Sequence, residues 1–176
     1  MRWWAFGIVA LGALVLQVGT SRVFGLGPQR IMPDLLLLAA VTVAFRGERH
    51  TAPVACWVLG LLKDLTSPAP LGAYALGIGL LGWGIVHLRE WLYGARLLPQ
   101  VAVLLAGGAL VEHFVWGVCR AKGAPLDGDY GSLAATMALS GLFTAALYPY
   151  GQWLLGKLER PLGLERRRGY RASRGG

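Results

Sequence analysis

Long apolar runs dominate the chain, and short segments rich in charge, glycine and proline separate them. Runs of this length without alternating polar positions are typical of helices that lie in lipid. The pattern predicts an all-α integral membrane protein in which residues 1–158 form one six-helix domain and residues 159–176 form a basic tail. The predicted transmembrane spans are residues 3–18, 31–45, 52–65, 71–88, 97–119 and 133–158.

The second and third spans are shorter than the others. About fifteen helical residues at ~1.5 Å each do not cover a hydrocarbon core of ~30 Å. Either Arg46 reaches back to the interface, or the loop dips into the membrane, or the bilayer thins. A helical hairpin that enters the membrane without crossing it is the competing interpretation. Spans four, five and six are each long enough to cross.

Composition and charge agree with a membrane protein. Hydrophobic residues make up 55% of the chain and charged residues only 15%, which does not fit a surface that faces water. Most of the 17 Lys and Arg residues fall on the side of the two chain ends, chiefly in the tail. The positive-inside rule then predicts that both termini are cytoplasmic. No aromatic-interleaved basic module is present, so nucleic acid is not an expected partner.

Residues that often bind metals or cofactors are scattered here. Cys56 and Cys119 lie in apolar runs as small buried side chains, and no Cys or His has a partner at metal-ligand spacing. Gly77, Gly79 and Gly82 match the dinucleotide fingerprint, but that motif requires a preceding strand, which a mid-span position cannot supply. We therefore expect no metal and no cofactor, and interpret these glycines as a helix-packing face.

Charged residues within the spans are costly in lipid, which makes them informative. Asp34 follows Pro33, and a proline at the first helical position with a neighbouring carboxylate predicts a capped start of span two. Asp64 ends span three on the same side of the membrane. Lys63 or Arg30 could pair with either carboxylate and fix the outer ends of spans two and three.

Glu112 lies in the outer third of span five, where a structural hydrogen bond or a partner contact is the preferred interpretation. A proton relay would need several such groups in register. No catalytic triad order, nucleophile elbow or zinc-protease motif occurs, so the sequence does not predict an enzyme. Small residues form further packing faces on span six (Ala134, Ala138, Gly141, Ala145) and on span five (Ala102, Ala106).

Four short strings resemble the family of the bacterial rod shape-determining protein MreD. Pro33-Asp34-Leu-Leu-Leu-Leu opens span two, and Gly60-Leu-Leu-Lys-Asp64-Leu closes span three. Leu71-Gly72-Ala-Tyr-Ala-Leu opens span four, and Leu147-Tyr148-Pro149-Tyr150 precedes the basic tail. The matching positions are Pro33, Asp34, Gly60, Asp64, Leu71, Gly72 and Pro149. Lys63 and the long Arg-rich tail depart from the family pattern.

The resemblance implies a six-helix fold similar to the substrate-binding components of energy-coupling-factor vitamin transporters. It also implies a non-catalytic membrane scaffold that binds the single-span protein MreC and supports peptidoglycan synthesis and rod cell shape. RodA, a penicillin-binding transpeptidase and MreB filaments are the further partners that it implies. A small-molecule, vitamin-type binding subunit of a transporter is the alternative from another functional class.

Overall fold

The computed structural model describes residues 3–24, 32–89, 97–123 and 130–157. Within these ranges every regular element is an α-helix and no strand is present, so the prediction of a six-helix, all-α protein is confirmed. The helices are α1 (Trp3–Phe24), α2 (Leu35–Arg46), α3 (Thr51–Thr66), α4 (Ala73–Leu88), α5 (Leu97–Ala121) and α6 (Tyr130–Lys157).

Helix α2 lies at the centre of the bundle. Every residue from Leu36 to Phe45 is buried, and α2 packs against each of the other five helices. By contrast, among the helices that the structure describes, α1 packs only against α2 and α3, and most of its large apolar side chains are exposed. The 12-residue helix α2 is therefore enclosed by the other five helices.

Helices α3 and α4 form the most extensively packed pair. The side chain of Cys56 in α3 occupies the space that a β-carbon at Gly82 of α4 would fill, at a distance of 2.5 Å. The Cys56 thiol also donates to the carbonyl oxygen of Ala40 in α2, at 3.3 Å. Both cysteines are free and buried.

Two helices are long and apolar enough to cross a membrane by length and composition, at Trp3–Thr20 and Leu98–Ala121. Leu35–Arg46 and Ala73–Leu88 are shorter apolar helices. Helix α4 has 16 residues and is therefore shorter than the predicted span four. Helix α6 has 28 residues, but it is less apolar than the two candidate spans.

Several helix ends differ from the predicted span ends. Helix α1 continues to Phe24 instead of ending near residue 18. Helix α2 begins at Leu35, because the backbone of Asp34 is not helical and its side chain caps the first turn. Helix α4 begins at Ala73, directly after Gly72, whose positive φ of 95° breaks the helical path. The predicted basic tail, residues 159–176, lies outside the described residues.

Candidate functional site

Lys63 is the centre of a group of charged side chains at one end of the bundle. Its Nζ lies 2.5 Å from Oδ2 of Asp34 and 2.8 Å from Oε1 of Glu112. The same ammonium group lies 4.0 Å from the ring centroid of Tyr74, whose hydroxyl donates to Oε2 of Glu112 at 2.9 Å. We call these four residues the ion cluster. Because they come from the start of α2 and from α3, α4 and α5, the cluster joins four segments.

Asp34 also caps a helix, in addition to forming its ion pair with Lys63. Its Oδ1 accepts from the backbone N–H of Leu37 at 2.9 Å, so it caps the first turn of α2. Its own N–H donates to Oγ1 of Thr144 at 2.8 Å and ties the start of α2 to α6. Pro33 precedes the cap and is buried. It lies two positions before Leu35, the first helical residue, and not at the first helical position that the sequence predicted.

Asp64 does not take part in the ion cluster, although Lys63 is its neighbour in the chain. Successive helical residues project about 100° apart, so the two side chains point to different helices. The Asp64 carboxylate accepts from the backbone N–H groups of Gly72 (3.0 Å), Tyr74 (2.9 Å) and Ala75 (3.0 Å). It thereby caps α4 from a neighbouring helix. Arg30, the other predicted partner of these carboxylates, lies outside the described residues.

Replacing Asp64 with asparagine is expected to destabilise the start of α4. The amide keeps one acceptor oxygen but loses the negative charge that the helix N-terminus favours, so we expect a loss of about 1–2 kcal/mol in the free energy of unfolding. Hydrogen exchange in detergent micelles provides the measurement: the amides of Tyr74 and Ala75 should exchange faster while those of α5 keep the wild-type rate. Unchanged exchange at both amides would contradict the capping role.

Gly60 allows α3 and α4 to approach each other beside this cap. A β-carbon at Gly60 would lie 2.6 Å from the Cα of Ala75 and 2.6 Å from the carbonyl oxygen of Tyr74, both of them backbone atoms. Leu71, in contrast, is 75% exposed and contributes no buried contact. Pro149 lies inside α6 on an exposed face. Of the predicted site residues, the structure therefore brings Asp34, Lys63 and Glu112 together, places Gly60, Asp64 and Gly72 at the α3–α4 contact, and leaves Leu71 and Pro149 apart.

A second polar network at the opposite end of α2 was not predicted. Gln152 donates from Nε2 to Oε1 of Gln100 at 2.7 Å and to the hydroxyl of Tyr148 at 2.6 Å, and Tyr148 also donates to Gln100 at 3.0 Å. Arg46 donates to Oε1 of Gln152. The sequence did contain a sign of this network, since Gln100 and Gln152 lie in apolar helices and a buried amide group needs a hydrogen-bond partner.

The small-residue faces divide into internal and exposed ones. A β-carbon added to Gly77 would lie 3.1 Å from the side chain of Val111 in α5, and one added to Gly82 would meet Cys56 of α3. The glycine motif is thus a packing seam within the chain, as the sequence suggested. On α6, Gly141 faces Leu105 of α5 at 3.7 Å, whereas the Ala102 and Ala106 face of α5 is exposed.

The carboxylates of this end are engaged by the chain itself. Asp34 and Glu112 hold Lys63 between them, and Asp64 binds backbone N–H groups. Within the described ranges no group of three or more His, Cys, Asp or Glu residues could hold a metal ion. The arrangement suits a charged clamp between helices, because the Lys63 ammonium group pairs with carboxylates from two other segments.

Comparison with known proteins gives one match. No curated protein and no solved structure matches the chain, so the expected likeness to energy-coupling-factor components stays a prediction. The family model described as rod shape-determining protein MreD matches residues 1–158. That range includes all six helices and every residue of the ion cluster. The chain therefore belongs to the MreD family of rod shape-determining membrane proteins.

Proposed function

We propose that this protein is a non-catalytic scaffold of the cell-elongation complex, which binds MreC and thereby supports peptidoglycan synthesis and rod cell shape. RodA, a penicillin-binding transpeptidase and MreB filaments are further proposed partners. Family membership is the observation that carries the proposal. It favours a scaffold over the vitamin-type transporter subunit, since the family is defined by shape determination.

The proposed arrangement is six membrane spans in a bacterial inner membrane, with both chain ends in the cytoplasm. One observation supports it. The ion cluster and the Arg46–Gln152 network lie at opposite ends of α2, which at ~1.5 Å per residue is about 18 Å long. Both polar groups thus fit within a ~30 Å hydrocarbon layer, where pairing by other helices is the only way to satisfy them.

A surface groove between α3 and α4 suits a partner helix. It has a volume of about 340 Å³, and Pro53, Val54, Trp57, Leu76, Gly79, Leu80 and Trp83 line it. Trp57 is 46% exposed and Trp83 is 56% exposed, which makes their rings available to a neighbour. Because lipid tails are as apolar as leucine, association here would come from close packing against these two rings. The proposed occupant is the single transmembrane helix of MreC.

The groove is tested by truncating its two rings. The variant Trp57→Ala/Trp83→Ala should recover at least about tenfold less MreC in detergent co-purification, because removing two packed aromatic anchors costs more than about 1.4 kcal/mol. Trp4→Ala is the matched control: Trp4 is 65% exposed on α1, away from the groove. Equal recovery of MreC with the double variant and the control would refute this surface and leave the family role intact.

A further inference from the structure

A cavity of about 360 Å³ opens beside the ion cluster. Its walls come from α1, α2, α5 and α6 and are mostly apolar, with Leu37, Leu105 and Met137 among them. Asp34, Lys63 and Glu112 form a charged patch on one side. A volume of this size falls within the range of small-ligand sites, and the mixture of apolar walls with a few polar groups is typical of them.

The cavity lies between α1 and α6. Both helices line it, and within their described ranges their backbones do not pack closely against each other. In the proposed membrane-spanning bundle, a gap between these two helices faces lipid, so an occupant can enter from the bilayer.

The polar groups of the cavity are complementary to a zwitterion. Two carboxylates and one ammonium group line it, which leaves one uncompensated negative charge among the described lining residues. Asp34 and Glu112 each accept two hydrogen bonds from the chain, whereas a carboxylate can accept about four. Glu112 is 26% exposed, and so its remaining acceptor positions are accessible to a cationic group.

Two donors are available across the opening. Gln17 of α1 accepts from the N–H of Leu35 at 2.8 Å through Oε1, and its amide Nε2 has no hydrogen-bond partner among the residues that the structure describes. Ser140 of α6 accepts from the N–H of Met32 at 3.3 Å, and in the same part of the chain its hydroxyl proton has no acceptor. An amide N–H and a hydroxyl are suitable donors to phosphate oxygens.

We propose that this cavity binds the phosphoethanolamine headgroup of a membrane phospholipid that enters between α1 and α6. The ammonium group of the lipid binds Glu112 and Asp34, and its phosphate accepts from Gln17 and Ser140. The apolar walls receive the first part of the acyl chains.

Native mass spectrometry of the delipidated full-length protein tests the site. Phosphatidylethanolamine and phosphatidylglycerol with identical acyl chains are added at equal concentration. The ethanolamine lipid should be retained about tenfold more, because only its ammonium forms charge-assisted hydrogen bonds with the carboxylates. Equal retention of the two lipids would overturn the proposal. Water-soluble phosphoethanolamine in excess should not displace the lipid, and displacement would identify an aqueous ligand instead.

Matched glycine variants locate the bound lipid. Gly141 lines the cavity and has room for a β-carbon, so the leucine side chain of Gly141→Leu would extend into the cavity and should reduce retention to the level of phosphatidylglycerol. Gly117→Leu is the control, since an added β-carbon on this exposed part of α5 meets nothing within 4 Å. If Gly141→Leu does not fold, Ser140→Ala should still lower retention by about threefold. If a folded Gly141→Leu or Ser140→Ala variant retains as much phosphatidylethanolamine as the wild type, the proposed site is wrong.

Discussion

Replacing Lys63 with methionine is expected to lower the free energy of unfolding by about 3–5 kcal/mol, because Asp34 and Glu112 are then left close together without a counter-charge. Methionine keeps most of the side-chain volume, so the loss reports charge and not a cavity. An SDS titration in mixed micelles measures it. The control is Lys122→Met, at the exposed end of α5. A loss below about 1 kcal/mol would show that the cluster is not a clamp.

A triple variant shows whether the effect of Lys63→Met comes from unpaired carboxylates or from lost packing of the lysine side chain. Asp34→Asn/Lys63→Met/Glu112→Gln removes all three charges, while asparagine can still cap α2. Since uncharged replacements of a complete buried ion group are often neutral, most of the stability lost in Lys63→Met should return. A triple variant as unstable as Lys63→Met would mean that packing, and not an unpaired charge, causes the effect.

Gly60→Ala is expected to destabilise the protein by about 2–3 kcal/mol through overpacking. The added methyl group would lie 2.6 Å from backbone atoms of Ala75 and Tyr74, and backbone cannot turn away as a flexible side chain can. Helix α4 must therefore move outward, which also pulls the Tyr74 hydroxyl from Glu112.

The control for this prediction is Gly84→Ala on α4, where an added β-carbon meets nothing within 4 Å. It should unfold at the wild-type temperature or slightly above it, since alanine favours the helix more than glycine does. Thermal unfolding in detergent micelles compares the two variants. Equal midpoints for Gly60→Ala and Gly84→Ala would exclude the close contact.

The fold was largely predictable because the apolar runs are long and the breaks between them contain charge, glycine or proline. The start of α2 could also be recognised from Asp34 alone, since capping is a local interaction between residues three positions apart. The exact ends of α1 and α4 could not be predicted from the sequence. They depend on contacts with other helices, such as the Asp64 carboxylate at the first turn of α4.

The site was predictable only in part, because its members are far apart in the chain. The sequence placed Asp34, Lys63 and Asp64 at one end of the bundle, but it did not indicate that Lys63 turns toward Glu112, 49 positions later. Packing decides which face of α5 lies toward α3, and the sequence of an apolar helix gives little indication of that face. Tyr74 was missed for the same reason, since a tyrosine among leucines can serve as a packing residue alone.

The short central helix would place charge inside the membrane. In the proposed six-span arrangement, polar side chains lie at both ends of α2, and its 12 residues extend about 18 Å. The ion cluster would then lie below the surface of the ~30 Å hydrocarbon layer. A charged group at that depth feels part of the membrane voltage, which for a full crossing is worth roughly 2.3 kcal/mol per elementary charge at 100 mV.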